Sequence, residues 1–234
     1  MNSSIQIIPI HRLLLVSIPA IVVILILLRW TDKGKTAIIA SIRMAVQLML
    51  IGYVLHYIFN AEQPFFVILA LTVMFLTACW ISTRTMPGRN IKYLIKPIIA
   101  IGIGGGLTLL LVLITVFQVN PFIHPRITIP IAGMIFANAM NAISLAADRF
   151  HSELKRKANY VEARNQALNT ALIPVINSLF AVGLVSLPGM MTGQILSGVA
   201  PHIAVRYQIM VMFMIFGASG ISTIIYLKLM KDKS

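Results

Sequence analysis

The chain has 234 residues, of which 59% are hydrophobic and only 11% are charged, and its mean hydropathy is +0.91. A soluble domain of this length carries about 25% charged residues, so the composition indicates a polytopic membrane protein. The net charge of +13 does not favour nucleic-acid binding, because the basic residues fall in short segments between apolar runs. The single cysteine, Cys79, excludes an internal disulfide framework and a thiolate metal cluster.

Seven apolar runs are long enough to cross a hydrocarbon layer of about 30 Å, which takes about 20 helical residues. The sequence therefore predicts an all-α membrane helix bundle that forms one transmembrane domain over residues 1–234. The first run is predicted to be a retained span, because its basic residues lie mainly after it and no small-residue cleavage site follows. The predicted spans lie near residues 10–28, 37–59, 65–82, 97–119, 127–147, 171–188 and 203–227.

Most of the Lys and Arg residues lie in four segments, 29–35, 84–96, 149–164 and 228–233. These segments alternate along the chain with connections that hold few charges. The positive-inside rule then places the amino terminus outside and the carboxyl terminus in the cytoplasm. An odd number of spans fits this assignment, because it places the two termini on opposite sides of the membrane.

Two short motifs are superficially typical of soluble enzymes. "GKT" at 34–36 lacks the glycine that a phosphate-binding loop needs five residues earlier, where Arg29 stands. "GIGGG" at 102–106 lies inside a predicted span, which favours close helix packing over dinucleotide binding. We therefore expect no ATP hydrolysis by this chain, and no enzyme activity of its own.

Every acidic residue lies in a predicted loop or at the edge of a span. An ion-driven carrier usually needs a carboxylate near the middle of the membrane, so this distribution argues against a self-sufficient one. The acidic residues are Asp32, Glu62, Asp148, Glu153, Glu162 and Asp232.

Arg43 and Gln47 lie four residues apart in the second predicted span and share a helix face. Two interpretations stay open for this pair. Arg43 snorkels to the cytoplasmic surface, or it lies in the bundle interior with Gln47, which is one turn deeper.

Amide and hydroxyl side chains also occur inside the fifth and sixth predicted spans. Asn138 and Asn141 are three residues apart, with Ser144 on the same stripe, and Asn177 and Ser178 are adjacent. A buried amide in a membrane needs a hydrogen-bond partner, so these residues either join helices or line a polar path for a cation.

The stretch "SLPGMMTGQIL" interrupts the sixth span with Pro188 and Gly189 and adds Met190, Met191 and Gln194. Broken helices of this kind often line substrate sites, whereas the simpler alternative is that Pro188 ends the span and a short interfacial helix follows. The two thioethers are candidate ligands for a soft metal such as Cu(I). Most membrane methionines are adaptable packing residues, and a harder ion would prefer the backbone carbonyls that the break frees.

The chain resembles the FetB-type permeases, the membrane subunits of bacterial iron-export ABC transporters, which are related to plant aluminium-tolerance half-transporters. The strings that carry the resemblance are "SIRMAVQLMLIGYVL" (41–55), "IPIAGMIFANAMNAISLA" (129–146), "ALIPVINSLFAVGLVSLPGMMTGQILSGVAP" (171–201) and "RYQIMVMFM" (206–214).

The resemblance implies a multi-pass permease in the inner membrane of a bacterium that exports a metal cation such as iron. It also implies a separate cytoplasmic ATPase, which would carry ATP and Mg, and two copies of each subunit. No cofactor is expected in this chain itself.

Two departures from the family pattern accompany the resemblance. Ala137 stands where the family usually has glycine, and the segment 148–170 lacks the family's "LGA" turn and is shorter. We still place the ATPase-docking site in this segment, at Val161, Glu162, Ala163 and Leu168. The shortened segment leaves two alternatives open: an ATPase-independent carrier or channel, and a structural membrane subunit that transports nothing.

Overall fold

A computed structural model describes residues 9, 12, 15–61, 63–85, 94–120 and 124–231, and this part of the chain is helical with no β-strand. The prediction of an all-α fold is therefore confirmed. The chain divides into two compact units, residues 1–61 and residues 62–234. The first unit contains α1 (Ile18–Trp30) and α2 (Gly34–Ala61). The second contains α3 (Pro64–Ser82), α4 (Ile95–Leu111), α5 (Pro125–Lys155), α6 (Tyr160–Ala181), α7 (Gly189–Leu196) and α8 (Pro201–Leu229).

Five of the described helices are long and apolar enough to cross a membrane: α2, α3, α4 with its continuation, α5 and α8. The first predicted span, 10–28, lies partly outside the described residues, and α1 covers 13 residues. The first half of α6 is polar, with Glu162 and Arg164 in its opening turns, so α6 is not among the five. The count of seven spans and the orientation of the termini stay predictions.

The first unit is a helical hairpin with a tight turn. Thr31 donates its hydroxyl to the carbonyl of Leu27 at 3.0 Å and accepts the backbone N–H of Lys33 at 3.2 Å. Gly34 then lies directly against Leu28, because a Cβ at this position would be 2.7 Å from the Leu28 Cα. A side chain at position 34 would therefore push α1 and α2 apart.

The second unit is built around α5, which packs against α3, α4, α6 and α8. Between helices in lipid there is little hydrophobic driving force, so stability depends on close van der Waals contact that small residues allow. On α6 the small residues Ala163, Ala167 and Ala171 recur every four positions and are buried. The fully buried apolar side chains on the facing helix α5 are Ala132, Ile135, Ala139, Ile143, Ala146, Ala147 and Phe150.

The glycines of "GIGGG" serve packing within the chain, as the sequence indicated. A Cβ on Gly104 would lie 2.6 Å from the backbone nitrogen of Ser222 in α8. A Cβ on Gly105 would lie 3.2 Å from Ile135 in α5, whereas a Cβ on Gly106 would meet nothing within 4 Å. Gly104 and Gly105 thus bring α4 close to α8 and α5, so neither glycine offers a free face to a second subunit.

The predicted loop 148–170 is helical except for residues 156–159. Helix α5 continues through Asp148 to Lys155, and Glu153 near its end pairs with Arg149 at 2.7 Å. Asn159 caps the start of α6 by accepting the backbone N–H of Glu162 at 2.9 Å. A hydropathy pattern predicts only the part of a helix that lies in lipid. The charged ends of α5 and α6 were therefore predicted to be a loop.

The carboxyl-terminal turn of α8 is held by two neighbouring helices. The hydroxyl of Tyr160, the first residue of α6, donates to the carbonyl of Leu227 at 2.9 Å. The ammonium of Lys96 in α4 donates to the carbonyl of Leu229 at 2.5 Å. The carbonyl of Leu227 also accepts the backbone N–H of Met230 at 3.1 Å. Because the last carbonyls of a helix lack the N–H groups of a following turn, they can accept these side-chain bonds, which tie the end of α8 to α6 and α4.

Helix α6 ends at Ala181, seven residues before the predicted end of the sixth span at residue 188. Gly183 follows with φ of +84°, a left-handed conformation that stops helices at little steric cost. The backbone N–H of Val185 then donates to the carbonyl of Ala181 at 2.8 Å, and that of Gly183 donates to the carbonyl of Ser186 at 3.0 Å. Pro188 is therefore the residue that precedes α7, with φ of −62° and ψ of 150°.

Candidate transport cavity

A cavity of about 430 Å³, the first cavity, lies in the second unit between α5, α6, α8 and the start of α7. Its wall combines apolar and methionine side chains with a set of neutral polar groups. The polar residues that line it are Asn138, Asn141, Ser178, Ser186, Gln208 and Ser219. Half of this polar set, Asn138, Asn141 and Ser178, were candidate pathway residues, and the structure brings these three together in one cavity.

Helix α5 presents its two asparagines to the first cavity at successive turns. The Nδ2 of Asn138 donates to the carbonyl of Met134 at 2.8 Å, which holds the side chain along its own helix. Among the described residues no hydrogen bond reaches the amide oxygen of either Asn138 or Asn141 from a protein group. Both oxygens are therefore available to a ligand. A polar path for a cation requires such free oxygens, whereas amides that bridge helices would use them in hydrogen bonds.

Gln208 of α8 is the most buried polar residue of the first cavity apart from Ser219. Its side chain is 5% exposed, and its Oε1 has no hydrogen-bond partner. A buried acceptor left without a donor costs about 1–3 kcal/mol, so such a group in a cavity wall is typical of a binding site. Gln208 was not among the predicted pathway residues, although it is an amide inside a predicted span, which is the feature that marked Asn138.

Helix α6 contributes a proline and a serine one turn apart. Pro174 lies within the helix and removes the N–H that would bond to the carbonyl of Thr170. Ser178 donates its hydroxyl to the carbonyl of Pro174 at 2.9 Å, so its oxygen keeps an acceptor site toward the cavity. Asn177 is exposed and does not line the cavity.

The broken stretch divides its residues between two cavities. Pro188, Gly189 and Met190 line the first cavity, whereas Met191 and Gln194 do not. Gln194 lines a second cavity of about 500 Å³, where its Oε1 is buried without a hydrogen-bond partner. The other residues of the second cavity are Phe117, Arg126, Ile127, Pro130, Ile131, Met134, Met190, Val199, Ile203 and Tyr207.

Arg43 and Gln47 belong to α2 in the first unit, where both side chains are exposed. Every residue that lines the first cavity belongs to the second unit. The role of this pair in a pathway stays a prediction.

The four candidate docking residues differ in their accessibility. Val161 is 53% exposed and Glu162 is exposed, so both offer side chains to a partner. Ala163 is fully buried against the core, and Leu168 is half-buried and packs on it. Contact with a partner in this region therefore falls to the exposed face of the first turns of α6.

The donor set of the first cavity determines what it can hold. No group of three or more His, Cys, Asp or Glu that could hold a metal ion occurs in the described part of the chain. The cavity offers amide and hydroxyl oxygens with the thioethers of Met134, Met190 and Met212. Neutral donors of this kind replace part of a cation's hydration shell without the strong binding that carboxylates give.

These features define a multi-pass helical membrane protein with a polar cavity bounded by a broken helix, the architecture of a permease. The family model described as "Uncharacterised protein family (UPF0014)" matches residues 10–234. The chain therefore belongs to the UPF0014 family, as the resemblance to FetB-type permeases predicted.

Curated relatives match over most of the chain. The protein named "Probable iron export permease protein FetB" of Escherichia coli K12 is 34% identical over 88% of this chain and 86% of its own length. "Protein ALUMINUM SENSITIVE 3" of Arabidopsis thaliana is 35% identical over 78% of this chain and 71% of its own length. A membrane protein of the same family from Synechocystis is 32% identical over 85% of this chain. No solved structure matches the chain.

Proposed function

We propose that this chain is the membrane-spanning permease subunit of an ATP-binding-cassette transporter that exports metal cations such as iron. The observation that carries the proposal is the first cavity, whose wall brings the amide side chains of Asn138 and Asn141 on α5 together with Gln208 on α8. The Oε1 of Gln208 is buried there without a hydrogen-bond partner. The printed name of the Escherichia coli relative, an iron export permease, supplies the substrate class.

The chemistry of the cavity supports a transported ion better than a resident one. Amide and hydroxyl oxygens stabilise a cation that has shed part of its water, yet they release it more readily than carboxylates do. The absence of acidic residues from the lining of the first cavity also leaves no proton-accepting group to drive transport there. Energy must then come from elsewhere, and a separate ATPase bearing ATP and Mg is the source that we propose.

The docking site of the proposed ATPase is the connection between α5 and α6. Residues 156–159 join the two helices, and Arg156, Lys157, Val161 and Glu162 are exposed there. The same short connection favours a second candidate function, an ATPase-independent carrier or a structural subunit, because it leaves a small surface for a partner. Two copies of the chain with two ATPases, in a bacterial inner membrane, complete the proposed assembly.

The proposal is tested by isolating the tagged chain from its native host in mild detergent and identifying bound proteins by mass spectrometry. We expect a P-loop ATPase in a one-to-one ratio, and we expect Val161→Asp with Glu162→Arg to remove it. The first change places a carboxylate where an apolar side chain is exposed, and the second reverses the charge at position 162. Glu153 is unsuitable for substitution because its carboxylate is buried and ion-paired.

The matched control is Gln166→Lys, an exposed change further along α6 that should leave the ATPase bound. Metal efflux from cells is measured in parallel. Efflux that persists after deletion of every co-isolated ATPase would overturn the ABC proposal in favour of the carrier, and absence of efflux in all strains would favour the structural subunit.

A further inference from the structure

Two methionines separate the first cavity from the second. Met134 of α5 and Met190 of α7 line both cavities, and no other lining residue is common to the two. The first cavity holds the unpaired amide of Gln208, and the second holds the unpaired amide of Gln194. Each cavity therefore holds one buried amide oxygen without a hydrogen-bond partner, and the two cavities are divided by a pair of thioether side chains.

From this arrangement we propose that the pair Met134–Met190 is the closed constriction of the permeation path, and that the displacement of Met190 joins the two cavities. This inference rests on the proposed transport function, which it deepens by naming the residues that decide passage. A constriction of apolar side chains excludes water and hydrated ions until it widens. Methionine suits this position because its unbranched side chain moves at little energetic cost and its sulfur contacts a dehydrated cation without binding it tightly.

The structure also provides the means for Met190 to move. Met190 is the second residue of α7, an eight-residue helix with no buried residue. Gly183 and Gly198 flank α7 with φ of +84° and +91°, and a Cβ on either would meet nothing within 4 Å. Left-handed glycines on both sides let a short helix change direction relative to its neighbours, whereas Met134 is fixed in the middle of α5.

The backbone around Met134 also limits what the second side of the constriction can do. A Cβ on the preceding residue, Gly133, would lie 3.1 Å from the terminal methyl of Met74, so α5 is closely packed against α3 at this level. The Nδ2 of Asn138 bonds to the carbonyl of Met134 itself. Opening therefore requires movement of α7, and a cation that permeates must pass two thioethers at the narrowest point.

The constriction is tested by labelling single cysteines with a membrane-impermeant thiol reagent in a Cys79→Ala background. Ser178→Cys reports on the first cavity, and Ile203→Cys reports on the second. The reagent is added to vesicles of both orientations, and the side that labels Ile203→Cys is the side used. Labelling needs neither ATP nor a transported metal, so its result does not depend on the proposed function.

We expect Met134→Ala with Met190→Ala to accelerate labelling of Ser178→Cys from that side about tenfold, a change of about 1.4 kcal/mol in the barrier. Labelling of Ile203→Cys should stay the same in every background. Met191→Ala is the matched control, because this neighbouring methionine lines neither cavity and should leave both rates unchanged. Met190→Ala alone gives an intermediate rate and replaces the double variant where the latter does not reach the membrane.

The proposal is overturned when the parent labels Ser178→Cys as fast as Ile203→Cys from the same side, since no constriction then exists. It is also overturned when the methionine substitutions leave the Ser178→Cys rate unchanged, or when Met191→Ala has the same effect as Met190→Ala. Accelerated labelling in a chain that shows no metal efflux would support the constriction and count against the proposed function, so the two failures are distinguishable.

Discussion

At the scale of single residues, the first cavity is distinguished by polar groups that the protein leaves unpaired. A folded protein normally gives each buried acceptor a donor, because an unpaired one lowers stability. Gln208 departs from that rule, and its Oε1 lies in the wall of a cavity. An energetic cost of this kind persists where function requires the group, so the side chain is a direct target for substitution.

Gln208→Leu should separate stability from function. The substitution removes an unsatisfied buried acceptor and keeps a similar volume, so we expect the free energy of unfolding to rise by up to about 1 kcal/mol. Metal efflux should fall by about tenfold, which corresponds to about 1.4 kcal/mol of lost stabilisation of the ion. Thermal unfolding in detergent and efflux from cells are the two measurements.

The control is Asn177→Leu, which removes an exposed amide that does not line the first cavity. It should leave efflux unchanged. Equal losses of efflux in the two variants, or a large loss of stability in Gln208→Leu, would count against a ligand role for Gln208.

Part of the candidate site could be predicted from the polarity of single residues. The rest depends on positions that only the folded chain determines. Asn138, Asn141 and Ser178 were recognised because a polar residue in an apolar run is visible without coordinates. Ser186 and Met134 were not, because Ser186 joins the cavity through the turn after Ala181, and Met134 joins it where α5 and α7 line the same cavity. Asn177 shows the opposite case. Its polarity made it a candidate, but its side chain is exposed and does not line the first cavity.

At the scale of helices, some boundaries could be predicted from hydropathy and others could not. Hydropathy placed α3 and α8 nearly correctly, because these helices stop close to the ends of their apolar runs. It extended the sixth span to residue 188 because the apolar run continues past Ala181, whereas the helix ends where Gly183 adopts a left-handed conformation. Gly183 could have been recognised in the sequence as a helix stop signal, but the boundary was placed at Pro188 instead.

The close contact of α4 with α8 can be tested by comparing two glycines of the same helix. Gly104→Ala places a methyl group against the backbone of Ser222, so we expect it to lower the free energy of unfolding by about 1–3 kcal/mol. Gly106→Ala meets open space and should stabilise the helix by about 0.5–1 kcal/mol. Unfolding curves in detergent measure both, and a similar effect of the two changes would contradict the packing described for Gly104.

At the scale of the whole molecule, the two ends of the second unit differ in how firmly they are held. The end of α8 is bonded to α6 through Tyr160 and to α4 through Lys96. The other end contains α7, a short helix with no fully buried residue between left-handed glycines. A bundle arranged in this way can move its broken helix while the helices that carry the proposed docking site stay joined.

Tyr160→Phe should weaken this connection without removing the aromatic packing of Tyr160 on Phe150. The carbonyl of Leu227 loses the Tyr160 hydroxyl and keeps only the N–H of Met230 as a donor, so we expect the free energy of unfolding to fall by up to about 1 kcal/mol. Tyr53→Phe is the matched control, because Tyr53 is 82% exposed in α2. We also expect the tyrosine variant to keep its ATPase partner and to lose efflux; unchanged efflux would show that this hydrogen bond serves stability alone.

The hydrogen bond between Tyr160 and Leu227 gives α8 the geometry of a lever. Leu227 and Gln208 lie on the same continuous helix about 28 Å apart at 1.5 Å per residue, so a tilt imposed at one end displaces the other. Tyr160 begins the helix whose first turns we propose to contact an ATPase. A movement at that contact would be transmitted to Gln208 along the single helix α8. The opening of the cavity would then be coupled to the proposed ATPase at the other end of the helix.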